Sequence, residues 1–112
     1  MKKIFQFKTR GIVNDIVSRL GETLVEMTCE IKTTEQKIKA CKMTGSGMIG
    51  VILQVVPLGE GDLHLVEVRR GKGDIMEYSK FYRELVDDKL KTMIEEVCDE
   101  LVGIGGGDYD DE

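Results

Sequence analysis

The sequence of 112 residues is poor in the residue types on which several classes of functional site depend. It has one proline, one histidine and no tryptophan. The single imidazole, His64, excludes a metal site built from several histidines and leaves little basis for a Ser-His-Asp arrangement. Three cysteines, Cys29, Cys41 and Cys98, show no C-x-x-C spacing, which argues against a zinc site and a disulfide framework. We therefore predict that the three thiols are buried as small hydrophobic groups.

Long apolar runs are also missing. No stretch approaches the roughly 18 consecutive apolar residues of a membrane span. The segment that follows Met1-Lys2-Lys3 is only briefly apolar, unlike a signal peptide. We accordingly expect a cytoplasmic protein. A hydrophobic fraction of 41% and a charged fraction of 33% are typical of one globular domain with a real core.

The charge is unevenly distributed. The 16 basic and 21 acidic residues give a net charge of −5, which disfavours nucleic acid as a partner. The last five positions hold four acidic residues, so the remainder of the chain carries −1. Three glycines at 105–107 precede these acids. We therefore predict one domain at 1–104 and a disordered acidic tail at 105–112.

The apolar periodicity predicts an α+β fold. Asp74 with Glu77 three residues later is typical of a helix N-terminus, and Thr9 is a candidate cap for an earlier helix. The predicted elements are a strand at 3–7, a helix at 10–27, strands at 29–32, 37–43, 48–56 and 63–70, and a helix at 75–102. This order, β-α-β-β-β-β-α, predicts an antiparallel sheet of four to five strands with two helices packed on one face. The apolar run at 48–56 predicts a central strand covered on both faces.

Each predicted helix has an apolar stripe that must be buried against a face of the sheet. This requirement predicts one common core. The predicted core residues of the helices are Val13, Ile16, Val17, Leu20, Phe81, Leu85, Ile94 and Val97. The predicted core residues of the strands are Val51, Leu53, Leu65 and Val66.

One pattern is typical of phosphate binding. Gly45-x-Gly47-x-x-Gly50 matches G-x-G-x-x-G, but a dinucleotide site requires a helix after the glycines, and here an apolar strand follows. A kinase glycine-rich loop further requires a downstream strand lysine and an Asp-Phe-Gly motif, which the sequence lacks. We interpret the glycines as a hairpin turn, and we predict no catalytic residue, cofactor or metal.

Basic residues recur along the predicted strands, and two interpretations of them are open. Converging on one surface, they would form a patch for anionic phospholipid; otherwise they form an ordinary solvated strand face. The candidate residues are Lys37, Lys39, Lys42, Arg69, Arg70 and Lys72. We expect the three lysines at 37–42 to point largely outward.

Three segments carry a resemblance to a known family: LQVVP at 53–57, LHLVEVRRGKGD at 63–74 and EYSKFY at 77–82. The chain resembles the C-terminal regulatory domain of Ser/Thr protein kinases that interact with calcineurin-B-like calcium sensors, over about residues 6 to 97. That domain is similar to those of the kinase-associated superfamily, which includes the C-terminal domains of checkpoint kinase one, the microtubule-affinity-regulating kinases and AMP-activated kinase. The superfamily fold is a sheet with two helices against it.

The resemblance implies a non-catalytic fragment of an ATP-dependent protein kinase, acting in signal transduction. The implied partners are a kinase catalytic domain in cis or in trans, a 2C-type phosphatase or a calcium-sensor protein. The implied contact residues are Phe7, Lys8 and Arg10, although Gln6 stands where the family has an arginine in its phosphatase-docking segment. A second hypothesis, from a different class, is a module that binds anionic phospholipid and is recruited to membranes.

The isolated chain should neither bind ATP nor transfer phosphate. The glycine run leads into a strand, and the lysine and aspartates that phosphoryl transfer requires are missing around it. Calorimetry with Mg-ATP should therefore register no heat of binding. Micromolar affinity that disappears when Gly47 or Gly50 is substituted would contradict this prediction.

Overall fold

The computed structural model of the chain describes the backbone of residues 2–97 and 100–102, and the side chains of residues 5–97. Ten elements follow one another, and the predicted α+β class is confirmed. In chain order they are β1 (Lys2–Arg10), α1 (Val13–Glu26), β2 (Glu30–Thr33), β3 (Lys37–Thr44), β4 (Gly47–Pro57), β5 (Leu63–Lys72), α2 (Ile75–Glu84), a π-helical segment (Leu85–Lys89), β6 (Ile94–Val97) and β7 (Glu100–Val102). The predicted acidic tail and Cys98 lie outside the described residues.

The strands form one antiparallel sheet in the order β2-β3-β4-β5-β1-β6. Strand β7 pairs with the first residues of β1, next to β6 on the same side. The β2-β3 and β3-β4 hairpins follow the predicted positions closely. The predicted four to five strands were too few, because β6 and β7 lie where the sequence had predicted helix.

The second helix is shorter than predicted. Regular α-helix ends at Glu84, and the amide of Leu90 donates to the carbonyl of Leu85 at 2.8 Å, a spacing of five residues. A turn follows, and Ile94 to Val97 then pair with β1. The prediction of helix was therefore wrong from 90 to 97, whereas 85–89 is helical with π geometry. Pairing with a strand more than 80 residues earlier leaves no trace in local periodicity, and it satisfies backbone groups that an open edge of β1 would expose.

The two helices begin differently. The side chain of Asp74 accepts a hydrogen bond from the amide of Glu77 at 2.9 Å, which confirms the predicted cap of α2. Helix α1 begins after Ile12 without a side-chain cap, so the prediction for Thr9 was wrong. Thr9 instead lies in β1 with no exposed surface, and its hydroxyl donates to the carbonyl of Met93 at 2.6 Å. That bond ties β1 to the turn before β6.

Both helices pack on one face of the sheet, as predicted. Because strand side chains alternate, alternate residues along much of β1, β3, β4 and β5 are buried beneath the helices. Eight of the predicted core residues are confirmed as one buried cluster: Ile16, Val17, Leu20, Phe81, Leu85, Val51, Leu53 and Val66. Val13 and Ile94 are partly buried against it.

Two predicted core residues lie elsewhere. Leu65 is half-buried on the opposite face of the sheet, because it alternates with Val66. Val97 is 49% exposed, because it belongs to a strand at the side of the sheet rather than to a long helix. The prediction that the central strand is covered on both faces was also wrong, since Ile52, Gln54 and Val56 in β4 are only half-buried.

Aromatic side chains fix α2 against β1 and β5. The ring of Phe5 stacks on that of Tyr82 with centroids 4.0 Å apart. The buried hydroxyl of Tyr78 donates to the carbonyl of Val68 at 2.9 Å, so its polar end is satisfied within the core. Among the helices in the described part of the chain, none is both long and apolar enough to cross a bilayer.

Substitution of Phe7 should disrupt folding before it disrupts any contact with a partner. Phe7 has no exposed surface, so Phe7→Ala should lower the free energy of unfolding by about 3 to 5 kcal/mol. Urea unfolding of the full chain measures this. The matched control is Ile12→Ala, since Ile12 is 66% exposed and should cost within about 0.5 kcal/mol. Equal, small losses for the two variants would contradict the position of Phe7 in the core.

Candidate functional site

The sheet face that carries no helix, called the open face below, gathers basic side chains from three strands. Lys39 in β3 lies opposite Lys32 in β2 and opposite Ile52 in β4, and Ile52 lies opposite Arg69 in β5. Side chains that face each other across antiparallel strands lie on the same face. These four residues therefore form one row, in which Lys39 and Arg69 are two strand spacings, or about 10 Å, apart.

A second row runs beside the first. Lys37 lies opposite Gln54, which lies opposite Glu67. The guanidinium of Arg69 donates to the side-chain oxygen of Gln54 at 3.4 Å, which links the two rows. The open face is therefore basic near β2 and β3, with the carboxylate of Glu67 at its centre.

A bulge adds a further cation to the open face. Val51 lies opposite Arg70, whereas Gly50 lies opposite Lys72, so Gly71 has no partner of its own. The extra residue reverses the alternation and turns Lys72 to the side of Gly50, away from the helices. A Cβ atom on Gly50 would lie 3.1 Å from the Cγ of Lys72, so the lysine stem covers the space that this glycine leaves.

Several cations of the open face have no ion-pair partner among the described side chains. In the region 5–97, where side chains are described, Lys32, Lys37, Lys39 and Lys72 form no ion pair. Like charges directly opposite each other in a sheet are destabilising, as for Lys32 and Lys39. An anionic group placed over this row would relieve the repulsion, so the open face is suited to binding an acidic segment or an anionic head group.

The predicted basic patch is only partly brought together. Lys37, Lys39, Arg69 and Lys72 share the open face, whereas Lys42 and Arg70 lie on the helix-covered side. The ammonium of Lys42 is 5.9 Å from the ring centroid of Phe81 in α2, and Arg70 donates to the carbonyl of Gly73 at 3.0 Å. The prediction that Lys42 points outward with the other two lysines was wrong.

Sequence reasoning missed Lys32. It belongs to the open face because the β2-β3 register places it opposite Lys39. The predicted turn at 33–36 would have placed Lys32 opposite Lys37, whereas Thr33 in fact pairs with Ile38, which moves Lys32 opposite Lys39.

The residues implied as protein contacts are in three different environments. Phe7 is fully buried, so its side chain is not accessible to a partner in this structure. Lys8 is half-buried on the open face and lies 3.5 Å from a carboxylate oxygen of Glu96. Arg10 is exposed at the end of β1 and is shared between Asp62 at 3.2 Å and Glu95 at 3.6 Å. The structure thus leaves Lys8 and Arg10 accessible and removes Phe7 from the candidate surface.

An apolar groove lies between α1 and β2. It is lined by Val17, Gly21, Val25 and Ile31 and has a volume of about 470 Å³. Gly21 allows the close approach, because a Cβ atom there would lie 3.4 Å from the terminal methyl of Ile31. Val25 is 55% exposed in this groove, and the acidic residue Glu22 also lines it. The groove therefore has an apolar floor and a charged rim, next to the sheet edge formed by β2.

Groups that might carry chemistry are structural where the chain is described. The Gly45–Gly47 segment forms the β3-β4 turn, and the chain continues as β4, which confirms the interpretation as a hairpin. The ring Nδ1 of His64 lies 2.8 Å from the carbonyl oxygen of Asp62. Burial raises the pKa of the Cys29 thiol, which keeps it protonated and unreactive, whereas Cys41 is half-buried. The described residues contain no cluster of three or more side chains suited to a metal ion.

Comparison with curated proteins finds plant kinases. The chain is 29% identical over 86 residues to CBL-interacting serine/threonine-protein kinase 26 of Arabidopsis thaliana, covering 75% of this chain and 19% of that kinase. It is 40% identical over 63 residues to CBL-interacting protein kinase 33 of Oryza sativa subsp. japonica, covering 56% of this chain and 13% of the kinase. It is 32% identical over 89 residues to CBL-interacting protein kinase 32 of the same plant, covering 75% of this chain and 19% of that kinase. No protein-family model matches the chain.

The chain spans 13% to 19% of the length of these three relatives, and 23% of CBL-interacting protein kinase 31 of Oryza sativa subsp. japonica. The resemblance to checkpoint kinase one and AMP-activated kinase stays a prediction. The chain is thus similar to a short part of several CBL-interacting protein kinases, which supports its resemblance to their C-terminal region.

Proposed function

We propose that the chain is a non-catalytic regulatory and protein-interaction module from the C-terminal part of a Ser/Thr protein kinase. The observation that carries the proposal is that similarity to whole kinases is confined to 13% to 23% of their length. The roles of the glycine turn and of His64 in local structure are consistent with a binding module. The phosphoryl-transfer reaction would then belong to another part of the parent kinase.

Two surfaces are available for docking. The groove between α1 and β2 offers an apolar anchor at Val25, and the open face offers cations beside it, beginning with Lys32 in β2. Interface energy concentrates in a few desolvated apolar side chains surrounded by a polar rim. The proposed partners are a kinase catalytic domain in cis or in trans, a CBL calcium sensor, and a 2C-type phosphatase.

Substitution in the groove should weaken protein docking. Val25→Glu places a charge where a partner would desolvate an apolar side chain, so the affinity should fall by about tenfold or more, equivalent to ~1.4 kcal/mol. Calorimetry of the full chain against the catalytic domain of CBL-interacting protein kinase 32, a CBL calcium sensor and a 2C-type phosphatase measures this. Ile12→Glu is the matched control, since Ile12 is equally apolar and 66% exposed but lies at the other end of α1.

Binding to none of these three proteins would contradict the proposed function. Equal losses for Val25→Glu and Ile12→Glu would contradict the groove as the docking surface. Lys8→Ala and Arg10→Ala test the two accessible residues that the resemblance implies, and both should weaken docking by less than Val25→Glu because their charges are already paired with carboxylates.

Binding to anionic phospholipid is a second candidate function. It is favoured by the gathering of Lys37, Lys39, Arg69 and Lys72 on one face. Well-placed basic residues contribute about 1 kcal/mol each at an anionic membrane surface, but the Debye length falls to about 8 Å at physiological salt. We therefore expect the full chain to sediment only weakly with phosphatidylserine-containing vesicles at that salt concentration.

A matched pair of double variants separates the two candidate functions. Lys39→Glu with Arg69→Glu reverses two charges on the open face, while Lys42→Glu with Arg70→Glu makes the same change on the helix-covered side. Two results together would reverse the ranking of the two functions. The first is strong sedimentation that the first pair abolishes and the second pair preserves. The second is the absence of any effect of Val25→Glu on binding to the protein partners.

A further inference from the structure

The open face has a candidate ligand within its own chain. The final five residues contain Asp108, Asp110, Asp111 and Glu112, which carry four negative charges after a run of three glycines. Besides Lys8, which is paired with Glu96, the open face holds five cations from β2, β3 and β5: Lys32, Lys37, Lys39, Arg69 and Lys72. The two sets have opposite charge and nearly equal size.

The path of the chain brings the two sets within reach. Strand β7 ends at Val102, which lies opposite Lys2 at the start of β1. Since β1 runs antiparallel to β5, this is the end of the sheet at which β5 finishes with Lys72. The order β3-β4-β5-β1-β7 places β7 about 10 Å from β5 and about 19 Å from β3, at strand spacings of about 4.8 Å.

The length of the tail matches these distances. Asp108 follows Val102 by six residues, and an extended chain spans at most about 3.3 to 3.6 Å per residue, so Asp108 can lie about 20 Å from the end of β7. Glu112 can lie about 35 Å away by the same measure. The four carboxylates can therefore cover Arg69 and Lys72 and extend to Lys39, without moving any described strand.

We propose that the acidic segment 108–112 docks in cis across the open face and acts as a built-in competitor for it. A ligand tethered within reach of its site has a high effective concentration there, so it can occupy a surface that the same free peptide would not. The carboxylates of Glu30 and Glu67 on the same face oppose docking, as do Glu95 and Glu96 on β6. These acids direct the segment toward Lys39, Arg69 and Lys72.

Docking of this kind regulates access to the open face, which is one of the two surfaces in the proposed function. An anionic head group or an acidic partner segment must displace the tail, and protein docking in the apolar groove need not. The contact is electrostatic, so it should weaken as salt rises. The proposal rests on the open face as a binding surface, but its test needs no external partner, so its outcome is independent of whether any kinase, phosphatase or membrane binds.

A tryptophan reporter tests the proposal directly. The sequence contains no tryptophan, so Tyr109→Trp introduces a single indole within the acidic segment. Quenching of its fluorescence by acrylamide should increase by about twofold when salt is raised from low to physiological concentrations, because screening releases the tail. The same increase should follow at low salt when Lys39→Glu and Arg69→Glu are added, and the steady-state anisotropy should fall with it.

Two comparisons make the result specific. Lys80→Glu with Lys89→Glu gives the same change of net charge on α2 and the π-helical segment, where both residues are exposed, and should leave quenching unchanged. Changing the four tail acids to their amides should increase quenching while the open face stays intact. This variant tests the proposal even if the charge reversals on the sheet impair folding. Quenching that is equal in all variants, or that is altered as much by the control pair, would overturn the proposal. Dependence on protein concentration would assign the contact to a second copy and would overturn docking in cis.

Discussion

Burial of Phe7 and Thr9 in the middle of β1 is the interaction on which the remainder of the fold depends. Phe7 lies opposite Val66 in β5 and Val97 in β6, so one strand is paired along both sides. The hydroxyl of Thr9, also fully buried, holds the carbonyl of Met93 just before β6 begins. The first strand and the segment that follows α2 are thereby joined within the sheet. Without this closure, β1 would be an exposed edge and the segment after α2 would have no strand to pair with.

The closed strand also determines which surfaces remain for function. Both helices cover the face that carries Phe7, so charged side chains collect on the opposite face, and β2 is left at one side of the sheet with the groove against α1. The cations there come from β2, β3 and β5, and their positions follow from register and from one bulge rather than from any motif. A surface of this kind is consistent with the proposed regulatory role, and its charge is the basis of the proposed docking of the acidic segment 108–112.

Local patterns in the sequence predicted the first helix, the β2-β3-β4-β5 meander and the cap at Asp74, because each depends on neighbouring residues. They failed where distant parts of the chain decide the outcome. The apolar spacing beyond Leu85 fitted a helix, but pairing with β1 prevailed from Ile94 onward. The basic patch was predicted by counting cations, whereas the alternation of strand side chains separates Lys42 from Lys39 and Arg70 from Arg69. That alternation could be predicted from the sequence. The bulge that places Lys72 on the open face could not be predicted from it, because the bulge arises from unequal pairing of β4 with β5.

Nuclear Overhauser effects between the backbone protons of β1 and β6 test the closure of β1 most directly. The account predicts cross-strand contacts between Lys8 and Glu96 and between Thr9 and Ile94, which are paired in the sheet. It also predicts that residues 94–97 lack the contacts between residues three apart that are typical of a helix. Helical contacts through 94–97, with no cross-strand contact to β1, would contradict the account, because α2 would then continue and β1 would be an open edge.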